Sequence, residues 1–227
     1  MQSSTRHQCL IYDGSPSKHL PALAEIIRRK LREHFRVFYL NSPPMVAGIR
    51  CYLAAAGVDV TNEMARTSLV LSSDQNHLVG GRFDIDRMIQ TLEGAVDATI
   101  IDGYRGLWAS GDMMWEFGQE NDFAKLLEYE WRLEELFRRR DQLCGICQYH
   151  MDILPVHAVQ TALLMHPSIF INETLSRINP YYAGPKPLAD LIAADHSTLN
   201  NNALSRLLSP ELHPMAVPPS GPESLGD

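Results

Sequence analysis

"DIDRMIQTLEGAVDATIIDGYRG", residues 84–106, can be read in two ways, and the choice decides the fold. Ile85, Met88, Ile89, Leu92, Val96 and Ile100 recur at three- and four-residue spacing, which predicts one long helix ending at Gly103. Alternatively, "ATIID" (98–102) is a buried strand with Asp102 at its end, placed like a Walker B acid. The helical period continues unbroken through Ile100, so the helix is preferred. "GLWAS" (106–110) then becomes a strand, and "GDMMW" (111–115) the turn leaving it.

Working outward, the same alternation appears on both sides. "HQCLIYD" (7–13) is a short strand broken by "GSPS" (14–17), and Ser17 is placed to cap the following helix. Leu20, Leu23, Ala24, Ile27 and Leu31 keep helical spacing through residue 33. "RVFYLN" (36–41) reads as the second strand, and the prolines of "SPP" suit a helix start. Val46, Ile49, Leu53 and Ala56 share one face of that helix, which stops at Gly57. "VDV" (58–60) and "TSLVLSS" (67–73) are further strand candidates.

After the central segment comes a long amphipathic helix, roughly 119–140, along which run Phe123, Leu126, Leu127, Glu130, Leu133, Leu136 and Phe137. "QLCGICQY" (142–149) is a strand, "PVHAVQTALLMH" (155–166) a helix and "SIFIN" (168–172) a last strand. Strands alternating with helices of this length indicate an α/β fold, a mainly parallel sheet with helices on both faces. Beyond Asn172 the chain turns to "NPYYAGPKP" (179–187), then weakly helical "LADLIAADHSTLNNNALSRLL" (188–208), then a tail (209–227) whose composition predicts disorder. A domain over 5–175 and a partly helical to disordered tail over 176–227 are expected.

With 227 residues, 45% apolar and 21% charged, the chain can bury a full core. No apolar run approaches the roughly 20 residues of a membrane helix, and no signal-peptide pattern opens the sequence, so a cytoplasmic location is expected. The net charge of −7, with signs interleaved, argues against a dedicated nucleic-acid surface. "RRKLR" (28–32) and "RRR" (138–140) each close a predicted helix, where cations suit the dipole.

The search for chemistry excludes more than it finds. No GxxxxGK[ST] follows the first strand, whose exit is "DGSPSKH", and no GxGxxG appears. There is no GxSxG elbow. The one CxxC, Cys144 and Cys147, lies on a predicted strand with its thiols on opposite faces, so a structural role is preferred to zinc or redox chemistry. His7 and Cys9 share a strand face, compatible with a polarised thiolate or with simple burial. His150 and Asp152 follow a strand's C-terminal end, but no third metal ligand is visible, so no metal site is assigned. What remains is "GYRGLWASGDMMWEFGQEND" (103–122), where Trp and Met supply an adaptable apolar wall and Arg105, Asp112 or Glu116 an orienting charge. Trp108, Met114 and Trp115 fit core packing equally well.

"HQCLIYDG", "VFYLN", "GYRGLWASGDMMWEF", "LLEYEWRLEELF", "CGICQY" and "MHPSIFIN" occur in the order seen in the MEDS domain, the methanogen/methylotroph, DcmR sensory domain, which residues 5–175 resemble. The resemblance implies a RecA/KaiC-like three-layer architecture without its phosphate loop, in keeping with the missing Walker A motif. It also implies a non-catalytic sensory role in bacterial or archaeal signalling, with a small hydrocarbon-derived ligand and no cofactor.

Carried over as ligand-binding candidates are His7, Cys9, Tyr12, Arg105, Trp108, Asp112, Met113, Trp115, Tyr129 and Glu130. Many relatives carry Arg where this chain has Trp108, so an anion-binding role does not transfer to that position. Such domains occur joined to helix-turn-helix or histidine-kinase-type modules. No such module is recognisable in this sequence, so its output is expected through a signalling partner in trans, a transcription regulator or kinase-type module. A degenerate nucleotide-binding protein and a pure interaction module, homo-oligomeric through a sheet edge or the long helix, are the rival readings.

Overall fold

The computed structural model describes residues 6–118, 122–172, 175–194 and 199. Nine strands and eight α-helices are found among them: β1 His7–Tyr12, α1 Leu20–Arg32, β2 Arg36–Leu40, α2 Pro43–Ala55, α3 Val60–Ala65, β3 Leu69–Ser72, β4 Leu78–Val79, β5 Arg82–Phe83, α4 Ile85–Ile101, β6 Leu107–Asp112, α5 Met113–Glu116, α6 Leu126–Arg139, β7 Leu143–His150, α7 Val156–Met165, β8 Ser168–Asn172, β9 Leu175–Ile178 and α8 Leu188–Ala193.

Seven strands form one sheet in the order β3-β2-β6-β7-β1-β8-β9. All its pairings are parallel except the last, where β9 returns antiparallel to β8. Alternate residues of each strand feed two cores. Leu10, Tyr12, Val37, Tyr39, Trp108 and Ile146 pack under α1, α2 and α3. Cys9, Ile11, Leu107, Cys147 and Tyr149 pack under α4, α6 and α7. Both faces of a parallel sheet must be covered in this way, because each crossover lays its helix on one of them. The expected three-layer α/β architecture is therefore the one observed.

The deciding stretch is helical. α4 runs to Ile101, and Ile85, Met88, Ile89, Leu92 and Val96 are its buried stripe. Asp102 sits just beyond the helix and pairs at 2.6 Å with Arg36, the first residue of β2, so it lies at the N-terminal edge of the sheet and not at the C-terminal end of a strand. Other expectations need correction. Val58 and Asp59 are not a strand: Asp59 caps α3, accepting the Asn62 N–H. Ser17 does not cap α1. It lies in a 3-10 turn over Pro16–His19, bonded to Ser15. "GDMMW" is not a simple turn, since β6 extends through Asp112 and residues 113–116 form α5.

Three strands, β4, β5 and β9, carry no strong alternation in the sequence. β4 and β5 form a small hairpin closed by Gly80 and Gly81, both at positive φ as a tight two-residue turn requires. The expected boundary at residue 175 falls at the start of β9, which completes the sheet. α8 covers only the first residues of the expected weak helix. Of residues 195–227, which include the expected tail, Leu199 alone belongs to the described residues.

Candidate functional site

Two polar clusters interrupt the cores. The first lies at the C-terminal edge of the sheet. β1 leaves toward α1 on one face, whereas its neighbour β7 leaves toward α7 on the other, opening the crevice where α/β proteins tend to bind ligands. There the Tyr12 hydroxyl donates to Asp112 Oδ2 at 3.3 Å, and the Tyr12 ring stacks on His150 at 4.8 Å. Asp112 Oδ1 accepts the Trp115 N–H at 3.0 Å and so caps α5. Burial raises the Asp112 carboxyl above the usual range. Asp152 accepts the Gly14 N–H at 2.7 Å, tying the β1 and β7 exits together.

The second cluster is sealed between the sheet and α6. His7 projects from β1, and its Nδ1 lies 2.7 Å from Glu134 Oε2. Its ring stacks on Phe137 at 4.1 Å. Its Nε2 faces Cys147 Sγ at 3.6 Å and Glu130 Oε2 at 4.0 Å. His166, just before β8, donates from Nδ1 to the Ala162 carbonyl at 2.7 Å. A carbonyl can only accept, and burial lowers the His166 pKa well below the usual histidine range. The neutral ring therefore carries its proton on Nδ1 and a lone pair on Nε2, which points at Glu130 Oε2 3.6 Å away. Tyr149 donates to the other Glu130 oxygen, and Tyr182 donates to Glu134.

Burial sets the charge states here. It lowers His7 to about 3 and raises Glu130 to about 8. It also pushes the Cys147 thiol well up, with Glu130 and Glu116 adding to the effect. No lysine or arginine pairs with Glu130 among the described residues.

Next to this cluster is a void of about 30 Å³. Ala109, Gly111, Leu143 and Cys147 line it from the sheet, Met88 and Leu92 from α4, and Leu133 and Phe137 from α6. Its polar wall is Glu116 with Tyr129, whose hydroxyl donates to Glu116 Oε2 at 2.9 Å. Glu116 is fully enclosed, and burial raises its carboxyl to about 8. Gly111 makes room for it: a Cβ there would lie 1.7 Å from Glu116 Oε1.

The residues singled out from the sequence thus separate. His7 and Glu130 meet in the interior cluster, with Cys9 buried on the same face of β1, and Tyr129 lines the void. Cys9 does not bond to His7; its thiol is directed at the Ser168 carbonyl, 3.9 Å away. Tyr12 and Asp112 meet at the sheet edge. Met113 is wholly buried, and Trp115 packs against His77 at 5.1 Å, its indole N–H reaching the Ser73 carbonyl at 3.3 Å. Trp108 lies in the core under α1 and α2. Arg105 precedes β6, at the opposite end from Asp112, with its guanidinium over the Phe35 ring.

Sequence reasoning missed Glu134, Cys147, Tyr149 and His166 as members of a polar site. The available signal was Glu130 and Glu134, one turn apart on the inner stripe of an amphipathic helix where apolar residues belong.

No helix among the described residues is long and apolar enough to cross a membrane. A comparison with curated proteins finds no match. The family model described as MEthanogen/methylotroph, DcmR Sensory domain matches residues 6–167, from the residue before β1 to the residue before β8, and so spans both polar clusters. The chain belongs to the MEDS family of sensory domains.

Proposed function

We propose that this domain is a non-catalytic sensing unit that takes a small organic molecule into the void between β6, β7, α4 and α6. The observation that carries this reading is a buried carboxyl, Glu116, standing with the Tyr129 hydroxyl at the wall of a mainly apolar chamber. A pocket that recognises a small molecule pairs apolar walls with one or two placed polar groups, and these walls have that composition. The void has about the volume of a single water, so even a one- or two-carbon alcohol, acid or halide would have to displace α4 or α6. That displacement would couple occupancy to shape. A ligand hydrogen-bonded to Glu116 competes with Tyr129 and shifts a pre-existing equilibrium of α6 against the sheet. A separate signalling protein would read the position of α6.

A melting screen of the purified chain against short alcohols, organic acids, halogenated alkanes and nucleotides tests the reading. A binding compound should raise the midpoint by about 2 °C or more at saturating concentration. Ala109→Val, which fills the void from the sheet side, should abolish that shift while leaving the unliganded protein folded. Stabilisation by nucleotides alone would favour the degenerate nucleotide-binding reading instead.

A further inference from the structure

The interior cluster does more than line a chamber: four ligand-type atoms converge on one point. His7 Nε2, Glu130 Oε2, Cys147 Sγ and His166 Nε2 all lie within 4.8 Å of one another, and all four residues are buried. We propose that His7, Glu130, Cys147 and His166 bind a divalent first-row transition metal, and that zinc is the cation their chemistry fits best.

Three observations carry this beyond a chance meeting of side chains. The first is orphaned polar atoms. Glu130 Oε2 and His166 Nε2 are both sealed from solvent and have no hydrogen-bond partner among the described residues. The Ala162 carbonyl fixes the His166 tautomer, so His166 Nε2 turns a lone pair toward Glu130 Oε2; an ionised Glu130 opposes it with another, and either the Glu130 carboxyl proton or a cation between them relieves that opposition.

The second is spacing. Tetrahedral zinc with bonds of about 2.0–2.3 Å sets its ligands about 3.3–3.8 Å apart. The Cys147–His7 and His166–Glu130 separations are both 3.6 Å, and His7–Glu130 is 4.0 Å. Side-chain shifts of less than about an ångström would complete the shell.

The third is the outer ring of hydrogen bonds. Metal-bound histidines usually donate their other N–H to a carboxylate or a backbone carbonyl. Here His7 has Glu134 and His166 has the Ala162 carbonyl. Glu130 keeps Tyr149 on its second oxygen, and Tyr182 holds Glu134.

The donor set of two imidazoles, one thiolate and one carboxylate mixes soft and hard atoms as zinc sites do. Cation uptake expels the Cys147 thiol proton and the Glu130 carboxyl proton, and both leave to solvent. The bound dication then balances two anionic ligands with which, among the described residues, no lysine or arginine pairs. Four protein ligands close the coordination shell, the form of a structural site. It staples β1, α6, β7 and the segment leading into β8 at one point. The site stands whether or not the adjacent void takes a ligand.

The full-length chain, purified without chelators or an affinity tag that binds metal, should carry one zinc per molecule by elemental analysis. After stripping and reloading with Co²⁺, it should show a thiolate-to-cobalt charge-transfer band. Cys147→Ser should lose that band, and Cys144→Ser, whose thiol points to the other face, should keep it. Should Cys147→Ser fail to fold, His166→Gln serves in its place, with loss of bound metal expected. Absence of metal as purified, together with no charge-transfer band on adding Co²⁺, overturns the proposal. So does a band that survives in Cys147→Ser.

Discussion

His166 Nε2 and Glu130 Oε2 face each other across 3.6 Å inside the core, and neither holds a hydrogen bond to any of the described residues. An unsatisfied buried polar group costs about 1–3 kcal/mol, so the metal-free fold carries a penalty at this point. Glu130→Gln should act with opposite signs on the two forms of the protein. Above pH 8, where the Glu130 carboxyl has lost its proton, the amide of the variant can donate to His166 Nε2 while its oxygen keeps the Tyr149 bond, so metal-free protein should gain about 1 kcal/mol in urea unfolding. Zinc affinity, measured by competition with a chromogenic chelator, should fall at least about tenfold.

Glu116 gives a pH dependence with a definite sign. Its carboxyl titrates near 4.5 when unfolded and about 8 in the fold. Between those values the native state holds a proton that the unfolded chain has released, so this residue's contribution to stability falls as pH rises through that window. His7 acts oppositely at lower pH. It is lowered from 6.5 to about 3, so its contribution falls as pH drops through that range. Comparing wild type with Glu116→Gln isolates the carboxyl. The advantage of the variant in unfolding free energy, from urea titration, should be small at pH 5 and grow to a few kcal/mol, in order of magnitude, at pH 8.

These two carboxyls also show what the sequence could and could not carry. Long-range order was legible because the longer helices keep an apolar stripe and the strands between them are short, mostly buried stretches bounded by turn residues. The period running from Ile85 to Ile100 pointed to the helix that the fold turns on, although Ile100 itself is exposed and the buried apolar stripe ends at Val96. The interior site was illegible for a physical reason: its members lie far apart in sequence and meet only when β1 and β7 pair in register. His7 pairs with Gly145, and Cys147 with Cys9, bringing the imidazole and the thiol onto one face. A lone CxxC then points away from metal chemistry, because only Cys147 of the two belongs to the cluster. The central aromatic loop was conspicuous in composition, yet Trp108 and Trp115 are placed by packing.

Trp115 accordingly should behave as a structural residue. Its ring is nearly buried, contacts His77, and bonds the Ser73 carbonyl, while Gln75 reaches its backbone oxygen. Trp115→Ala should destabilise the unliganded protein by about 3 kcal/mol, and Trp115→Phe, which keeps the ring and loses the N–H, by about 1 kcal/mol. Thermal melting of the two variants without ligand measures this. Unchanged melting of the alanine variant would mean that the ring contributes nothing to the fold.

Gly111 and Glu116 provide the sharpest test of the chamber wall, because each occupies space the other needs. Gly111 lies inside the sheet, paired with Leu40 on β2 and Cys147 on β7, so its backbone cannot retreat. Gly111→Ala drives a methyl onto the Glu116 carboxyl and should cost about 2–3 kcal/mol as Glu116 rotates and the Tyr129 bond breaks. Glu116→Ala removes the carboxyl and leaves room above the strand. The double variant should therefore be more stable than the sum of the single effects predicts, by about 1–3 kcal/mol, since the new methyl enters the space the carboxyl left. Additivity in urea unfolding would mean that the two side chains do not meet.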